Sequence, residues 1–166
     1  MDLAAERIDL ALRWTTLSAQ ELTATPVAEV SWVIAASPSY LAAAGGAPHT
    51  AAELARHPCL SYWRESSDDT WTLSEAGAVQ AVKVRSRYHV NNPEAVVDAA
   101  LAGLGVALLP GYACEAALED GRLLRVLPHC VPLTKFGNRI TAIATPERAR
   151  LARIQALLAF LRAQLG

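Results

Sequence analysis

The stretch from Asn91 to Pro110, NNPEAVVDAALAGLGVALLP, constrains the fold more than any other part of the chain. Asn92 followed by Pro93 is a helix start: the amide oxygen accepts from free backbone N–H groups and proline suits the first helical position. Val96, Val97, Ala100, Leu101 and Leu104 recur at helical spacing and belong on a buried face. Gly103 and Gly105 stop the helix, and Val106 to Leu109 is an apolar run of the length of a buried strand. The open end of this helix carries partial positive charge and unpaired N–H donors, a place suited to a carboxylate. An ordinary αβ unit with a well-capped helix fits the same residues.

Other segments repeat this alternation. Strands are expected over Ile8 to Trp14, Val27 to Ala36, Leu60 to Trp63, Thr70 to Leu73, Val79 to Val90, Leu123 to Leu127 and Arg139 to Ala144. Thr15 to Thr25 and Pro128 to Asn138 read as loops, and Asp2 to Arg7 as the end of a helix. Ser37-Pro38 opens a short helix that Gly45-Gly46 ends, and Thr50-Ala51-Ala52-Glu53 has capping-box spacing for a helix through Arg56, stopped by His57-Pro58. Gly111 to Glu119 is a second helix, ended by Gly121. Thr145-Pro146 opens one long final helix with an apolar stripe of Leu151, Ile154, Leu157, Leu158, Leu161 and Leu165. Such alternation predicts an α/β fold with mainly parallel sheets.

The 166 residues, 52% hydrophobic, suffice for one large domain or two small lobes. A formal net charge of -1, from 15 basic and 16 acidic side chains, argues against a nucleic-acid-binding face. Arg139, Arg148, Arg150, Arg153 and Arg162 read as a solvated helix face, and Lys83, Arg85 and Arg87 as the exposed side of a strand. No signal peptide and no membrane-length apolar run are visible, so a cytoplasmic location and no membrane partner are expected. The cysteines Cys59, Cys114 and Cys130 form no CxxC pair and read as small buried hydrophobes. His57 near Cys59 and His129 beside Cys130 suggest metal ligands, but their spacing matches no zinc pattern; neither a metal nor a cofactor is expected. No GxSxG, P-loop or post-strand GxGxxG is present, and a triad of Ser61, His57 or His89, and Asp68 or Asp69 has nothing in its spacing to recommend it. Asp68-Asp69 reads as a turn.

Four stretches together resemble one family. They are Ile8-Asp9-Leu10-Ala11-Leu12-Arg13, Ala35-Ala36-Ser37-Pro38-Ser39-Tyr40-Leu41, Leu54-Ala55-Arg56-His57-Pro58-Cys59-Leu60, and Ala99 to Pro110. In this order and spacing they resemble the effector-binding domain of LysR-type transcriptional regulators. The resemblance implies a two-lobe fold like that of type 2 periplasmic binding proteins, with a small organic acid effector in an interlobe cleft. It places lobe II at 29–135 and a partial lobe I at 1–28 and 136–166. The family's winged helix-turn-helix, its linker helix and the first elements of lobe I have no counterpart in these residues. The resemblance therefore implies an incomplete first lobe, a homodimer or higher homo-oligomer that completes it, and no specific DNA binding by this fragment.

In such folds ligands sit at the C-terminal ends of strands and the N-termini of helices. Three groups meet that rule. Arg13, Trp14, Thr15 and Thr16 follow the first strand, where Arg13 suits a bidentate carboxylate contact or a surface salt bridge. Tyr62, Trp63 and Arg64 follow a lobe II strand, where the aromatics suit stacking on a planar ligand or simple core packing. Asn91 and Asn92 offer side-chain and helix-terminal donors. The expected function is a non-catalytic sensory domain; the alternatives are a truncated dimerisation module that no longer senses ligand, a periplasmic solute-binding protein or, last, an enzyme.

Overall fold

The computed structural model of the chain describes residues 8–14, 22–62 and 66–165. The expected helix end at Asp2 to Arg7 lies outside them, as do Thr15, Thr16, Trp63 and Arg64. In chain order the strands and helices are β1 (Ala11–Trp14), β2 (Thr23–Glu29), β3 (Trp32–Ala36), α1 (Pro38–Ala43), β4 (Pro58–Tyr62), β5 (Thr70–Glu75), β6 (Ala78–Lys83), β7 (Arg85–Val90), α2 (Pro93–Leu101), β8 (Val106–Pro110), α3 (Gly111–Glu119), β9 (Leu124–Arg125), β10 (Cys130–Pro132), β11 (Arg139–Ala144), α4 (Pro146–Ala149) and α5 (Ala152–Leu165). Single 3-10 stretches occupy Ala51–Arg56 and Ser66–Asp69. The chain divides into two compact units, residues 1–30 with 135–166, and residues 31–134.

The larger unit is built on a five-stranded sheet of order β7-β4-β8-β3-β9. Because β3, β4 and β8 are covered on both faces, β3 and β8 read in sequence as apolar runs and β4 is interrupted only by the buried, hydrogen-bonded Ser61. Period two then sends alternate residues to different cores. Val33, Ala35, Leu60, Ala107 and Leu109 face α2 and α3 through Val96, Val97, Ala100, Cys114 and Ala117. Ile34, Ala36, Cys59 and Val106 pack instead with Trp71, Leu73 and Val82, which belong to a second sheet of order β10-β5-β6. The loop before β8 passes so close to β4 that a Cβ on Gly105 would stand 2.2 Å from the Pro58 carbonyl oxygen.

In the smaller unit β1, β11 and β2 form a three-stranded antiparallel sheet. Val27 and Ala142 meet Ile154 and Leu158 of α5, with Leu10, Leu151 and Leu161 around them. The arginines expected to be a solvated face are partly engaged. Arg148 and Arg153 both pair with Asp9, Arg139 lies 3.8 Å from Glu29, and the Arg162 Nε donates to the Pro26 carbonyl at 3.0 Å.

Several expected elements are differently cut. The sheets are not mainly parallel: among the described residues, the parallel pairs are β4 with β7 and β4 with β8. Val27 to Ala36 is two strands, not one. The Val30 N–H donates to Asn138, whereas the Ser31 carbonyl accepts from Gly111, so adjacent residues hand the chain to different sheets. Val79 to Val90 also breaks, at Val84, whose N–H goes to the Asp69 carbonyl. Apolar alternation continues through both breaks, which is why the sequence hides them. The expected loops lose Thr23 to Thr25 to β2 and Cys130 to Pro132 to β10. Of Leu123 to Leu127, Leu124 and Arg125 pair with β3, and the Val126 N–H donates to the Ile34 carbonyl at 2.8 Å. Leu127, at φ 49, turns the chain, and the Cys130 N–H closes that turn on the Leu127 carbonyl at 2.9 Å.

Two helix expectations change as well. Thr50 makes no side-chain cap, and the Glu53 carboxylate reaches past it to the His49 N–H at 2.7 Å, so a 3-10 stretch forms instead of a boxed α-helix. The final helix is interrupted after Ala149. The Gln155 side chain donates to the Ala149 carbonyl at 2.6 Å and so satisfies a helix end the sequence does not announce.

Candidate functional site

Strands β4, β7 and β8 run in one direction, so their C-terminal ends lie on one edge of the five-stranded sheet. That edge carries Tyr62, opposite Val90 in the β4–β7 register, then Asn91 and Asn92, and finally Pro110 with Gly111 and Tyr112. Strand β3 is antiparallel to β8 and brings its first residue, Trp32, opposite Pro110. A Cβ on Gly111 would stand 2.3 Å from the Ser31 Oγ, a contact that a turn of the serine side chain would relieve. Asn91 and Asn92 are exposed and Tyr62 is half-buried.

The helix tip behaves as a cap more than as an open cradle. The Asn92 Oδ1 accepts from the Ala95 N–H at 3.1 Å, and the Val96 N–H donates to the Asn92 carbonyl at 3.3 Å. Pro93 has no N–H, which leaves the Glu94 amide as the first-turn donor for an outside acceptor. The exposed Glu94 carboxylate stands in that same turn, where it balances the helix's positive end. The tip therefore gives direction to an acceptor atom but little net positive charge.

Tyr112 was not singled out in the sequence, although the rule that selects Tyr62 selects it too, since it follows a parallel strand directly. Its phenol is pushed up by partial burial first, then by Glu94 and Tyr62. It stays a neutral O–H donor at physiological pH, beside a second phenol and a carboxylate. Two phenols, one asparagine-led helix tip and one carboxylate on a sheet edge can orient a planar polar ligand; they contain no nucleophile–base pair. Ser61 is 2% exposed and its Oγ accepts from the Trp71 indole N–H at 3.0 Å. His57 Nδ1 is engaged with the Tyr40 hydroxyl at 2.8 Å.

Arg13 and Trp14 lie in the other unit, on the edge strand β1, with Arg13 opposite Thr141. Arg13 is exposed, and Trp14 meets the Phe136 ring edge-on with centroids 6.2 Å apart. The described residues thus bring Tyr62, Asn91 and Asn92 together on one sheet edge and put Arg13 and Trp14 on a separate sheet. The three cysteines are free and buried, as expected of small hydrophobes. Among the described residues no helix is long and apolar enough to cross a membrane.

Comparison with known proteins gives a consistent result. The family described as the LysR substrate binding domain matches residues 1–166. The HTH-type transcriptional regulator PtxR of Pseudomonas aeruginosa is 34% identical over 99% of the chain and 52% of its own length. The probable HTH-type transcriptional regulator LtrA of Klebsiella pneumoniae is 28% identical over 97% of the chain and 52% of its own length. The chain thus spans about half the length of the curated relatives it matches. The regulatory domain of CrgA, a LysR-type transcriptional regulator from Neisseria meningitidis, superposes with a TM-score of 0.82 at 26% identity, over 98% of this chain and 78% of that one. The fold is accordingly the type 2 periplasmic-binding-protein-like fold of such regulatory domains, with mixed rather than parallel sheets.

Proposed function

The chain belongs to the LysR substrate-binding-domain family, as the effector-binding domain of a LysR-type transcriptional regulator, and from that premise we propose that it binds a small organic anion at the sheet edge of Tyr62, Asn91 and Asn92. The observation that carries this reading is that Tyr62, the Asn92-led helix tip and the β8–α3 junction before Tyr112 share the C-terminal ends of three parallel strands. The phenols flank a planar body and the Glu94 amide meets one acceptor oxygen. Because Glu94 offsets the helix end, most of the countercharge must come from a cationic side chain, for which Arg64, two residues after Tyr62, is the candidate. Trp63 completes the contact set proposed for this edge, and Arg13, Trp14, Thr15 and Thr16, in the other unit, are proposed as a separate contact group.

The test is a thermal-stability screen of the chain against small carboxylates and aromatic acids. A true effector at 100 times its dissociation constant adds about 2.7 kcal/mol. No response across the panel overturns the proposal.

We also propose that the chain self-associates as a homodimer or higher oligomer. Supporting this, α5 leaves Leu157, Phe160 and Leu165 exposed at 41%, 60% and 49%. The same face favours the second reading, a dimerisation module without ligand. A single monomeric species by light scattering at micromolar concentration overturns both. Specific DNA binding by this chain alone is not part of either reading, and a tight operator gel shift would contradict that.

A further inference from the structure

We propose that Glu75, His129 and Cys130 form a site for one divalent transition-metal ion of the zinc type. The site stands apart from the edge at Tyr62 and does not depend on its function.

The backbone brings these residues together. Cys130 and Glu75 are direct cross-strand partners in the antiparallel β10–β5 register. Glu75 is the last residue of β5, held in place by the tight turn through Ala76 (φ 47) and Gly77 (φ 85). On the other strand, the turn closed between Leu127 and Cys130 delivers His129 immediately before β10, where strand alternation does not yet drive its side chain to the opposite face. One ligand atom from each residue, a thiol sulfur, an imidazole nitrogen and a carboxylate oxygen, lies within 4.8 Å of the others.

The distances are also compatible with coordination. His129 Nε2 and Glu75 Oε1 are 3.5 Å apart, too long for a good hydrogen bond. Two such donors on one tetrahedral zinc, each at about 2.1 Å, stand about 3.4 Å from each other. A sulfur at about 2.3 Å stands about 3.6 Å from either, against a present separation of no more than 4.8 Å among the three ligand atoms. Both His129 and Glu75 are about half exposed, which leaves a cation a path in and room for water as a fourth ligand. The donor set selects the ion: sulfur, imidazole and carboxylate suit zinc or cobalt and disfavour magnesium and calcium. A bound dication favours the thiolate, so Cys130 releases its proton to solvent as the metal binds.

The test is titration of the tag-free, metal-free chain with Co2+, followed by displacement with Zn2+. The expected result is one equivalent of Co2+ with thiolate-to-cobalt charge-transfer absorption that Zn2+ abolishes. Cys130→Ser removes that absorption. His129→Ala and Glu75→Gln, at half-exposed positions where folding is safe, weaken affinity at least about tenfold, since even removal of a group behind a ligand costs that much. Cys114→Ser changes neither. Absence of the absorption at millimolar Co2+, its survival in Cys130→Ser, or affinity unmoved by His129→Ala and Glu75→Gln overturns the site.

Discussion

The Trp71 indole N–H donates to the Ser61 Oγ across 3.0 Å, in an environment where both side chains are 2% exposed. This bond ties β5 to β4 and so joins the two sheets of the larger unit beneath Tyr62. Removing the hydroxyl while keeping the indole leaves a buried donor unsatisfied. Ser61→Ala should therefore lower unfolding free energy by about 1–3 kcal/mol in urea titration, and part of that loss should vanish when Trp71 is also replaced by Phe. Equal losses for Ser61→Ala in both backgrounds would show that the bond carries no stability.

Gly105 and Gly121 give opposite reasons for glycine. At Gly105 a Cβ meets the Pro58 carbonyl oxygen at 2.2 Å, whereas at Gly121 the space is open and only φ +70 is unfavourable. Gly121→Ala should cost about 1 kcal/mol from backbone strain. Gly105→Ala must also push β4 from the α2–β8 loop and should cost more, about 2–3 kcal/mol as for overpacked cores. Comparable urea midpoints for the two variants would contradict this packing account.

Much of the larger unit was legible in the sequence because its signals are local. Asn92-Pro93, Ser37-Pro38 and the boundaries of α3 each rest on a cap, a proline or a glycine a few residues away. The strand ends at Val30-Ser31 and Val84 were not legible, because their cause is a hydrogen bond to Asn138, Gly111 or Asp69, distant in the chain. Strand β10 was missed for a similar reason: three residues show no periodicity until β5 supplies the partner. Of the candidate site, Tyr62, Asn91 and Asn92 followed from strand-end and helix-start rules. Glu94 lay in plain view, but its weight depends on knowing that Asn92 and Pro93 consume the other first-turn positions.

Asn92 separates capping from binding. Asn92→Ala removes the acceptor for the Ala95 N–H and should cost about 1 kcal/mol of stability. Asn92→Asp keeps the acceptor, so stability should hold, but it adds a negative charge where the effector's oxygen is proposed to sit. Charges at helix ends are worth about 0.3–1 kcal/mol, so affinity for an anionic effector should fall about two- to fivefold. Calorimetric affinity unchanged in Asn92→Asp would move the effector away from this helix.

Cys59 gives the chain an alkaline limit. The thiol is fully buried, and desolvation pushes its pKa up from 9.0 to about 12. The unfolded chain releases this proton near the ordinary thiol value while the folded chain retains it, so above that pH the folded state binds more protons. Stability must then fall as pH rises, by about 1.4 kcal/mol per unit from roughly pH 9 until the folded pKa is reached. Cys114 and Cys130 are also raised, each mainly by burial, and act in the same direction. Urea unfolding of the metal-free chain between pH 8 and pH 10 should show the decline, and Cys59→Ala, whatever it loses in packing at neutral pH, should flatten the slope. The same burial predicts that a thiol reagent at pH 8 labels Cys59 only on the timescale of unfolding. A slope unaltered by Cys59→Ala, or rapid labelling of Cys59 in the folded chain, would contradict the buried, protonated state.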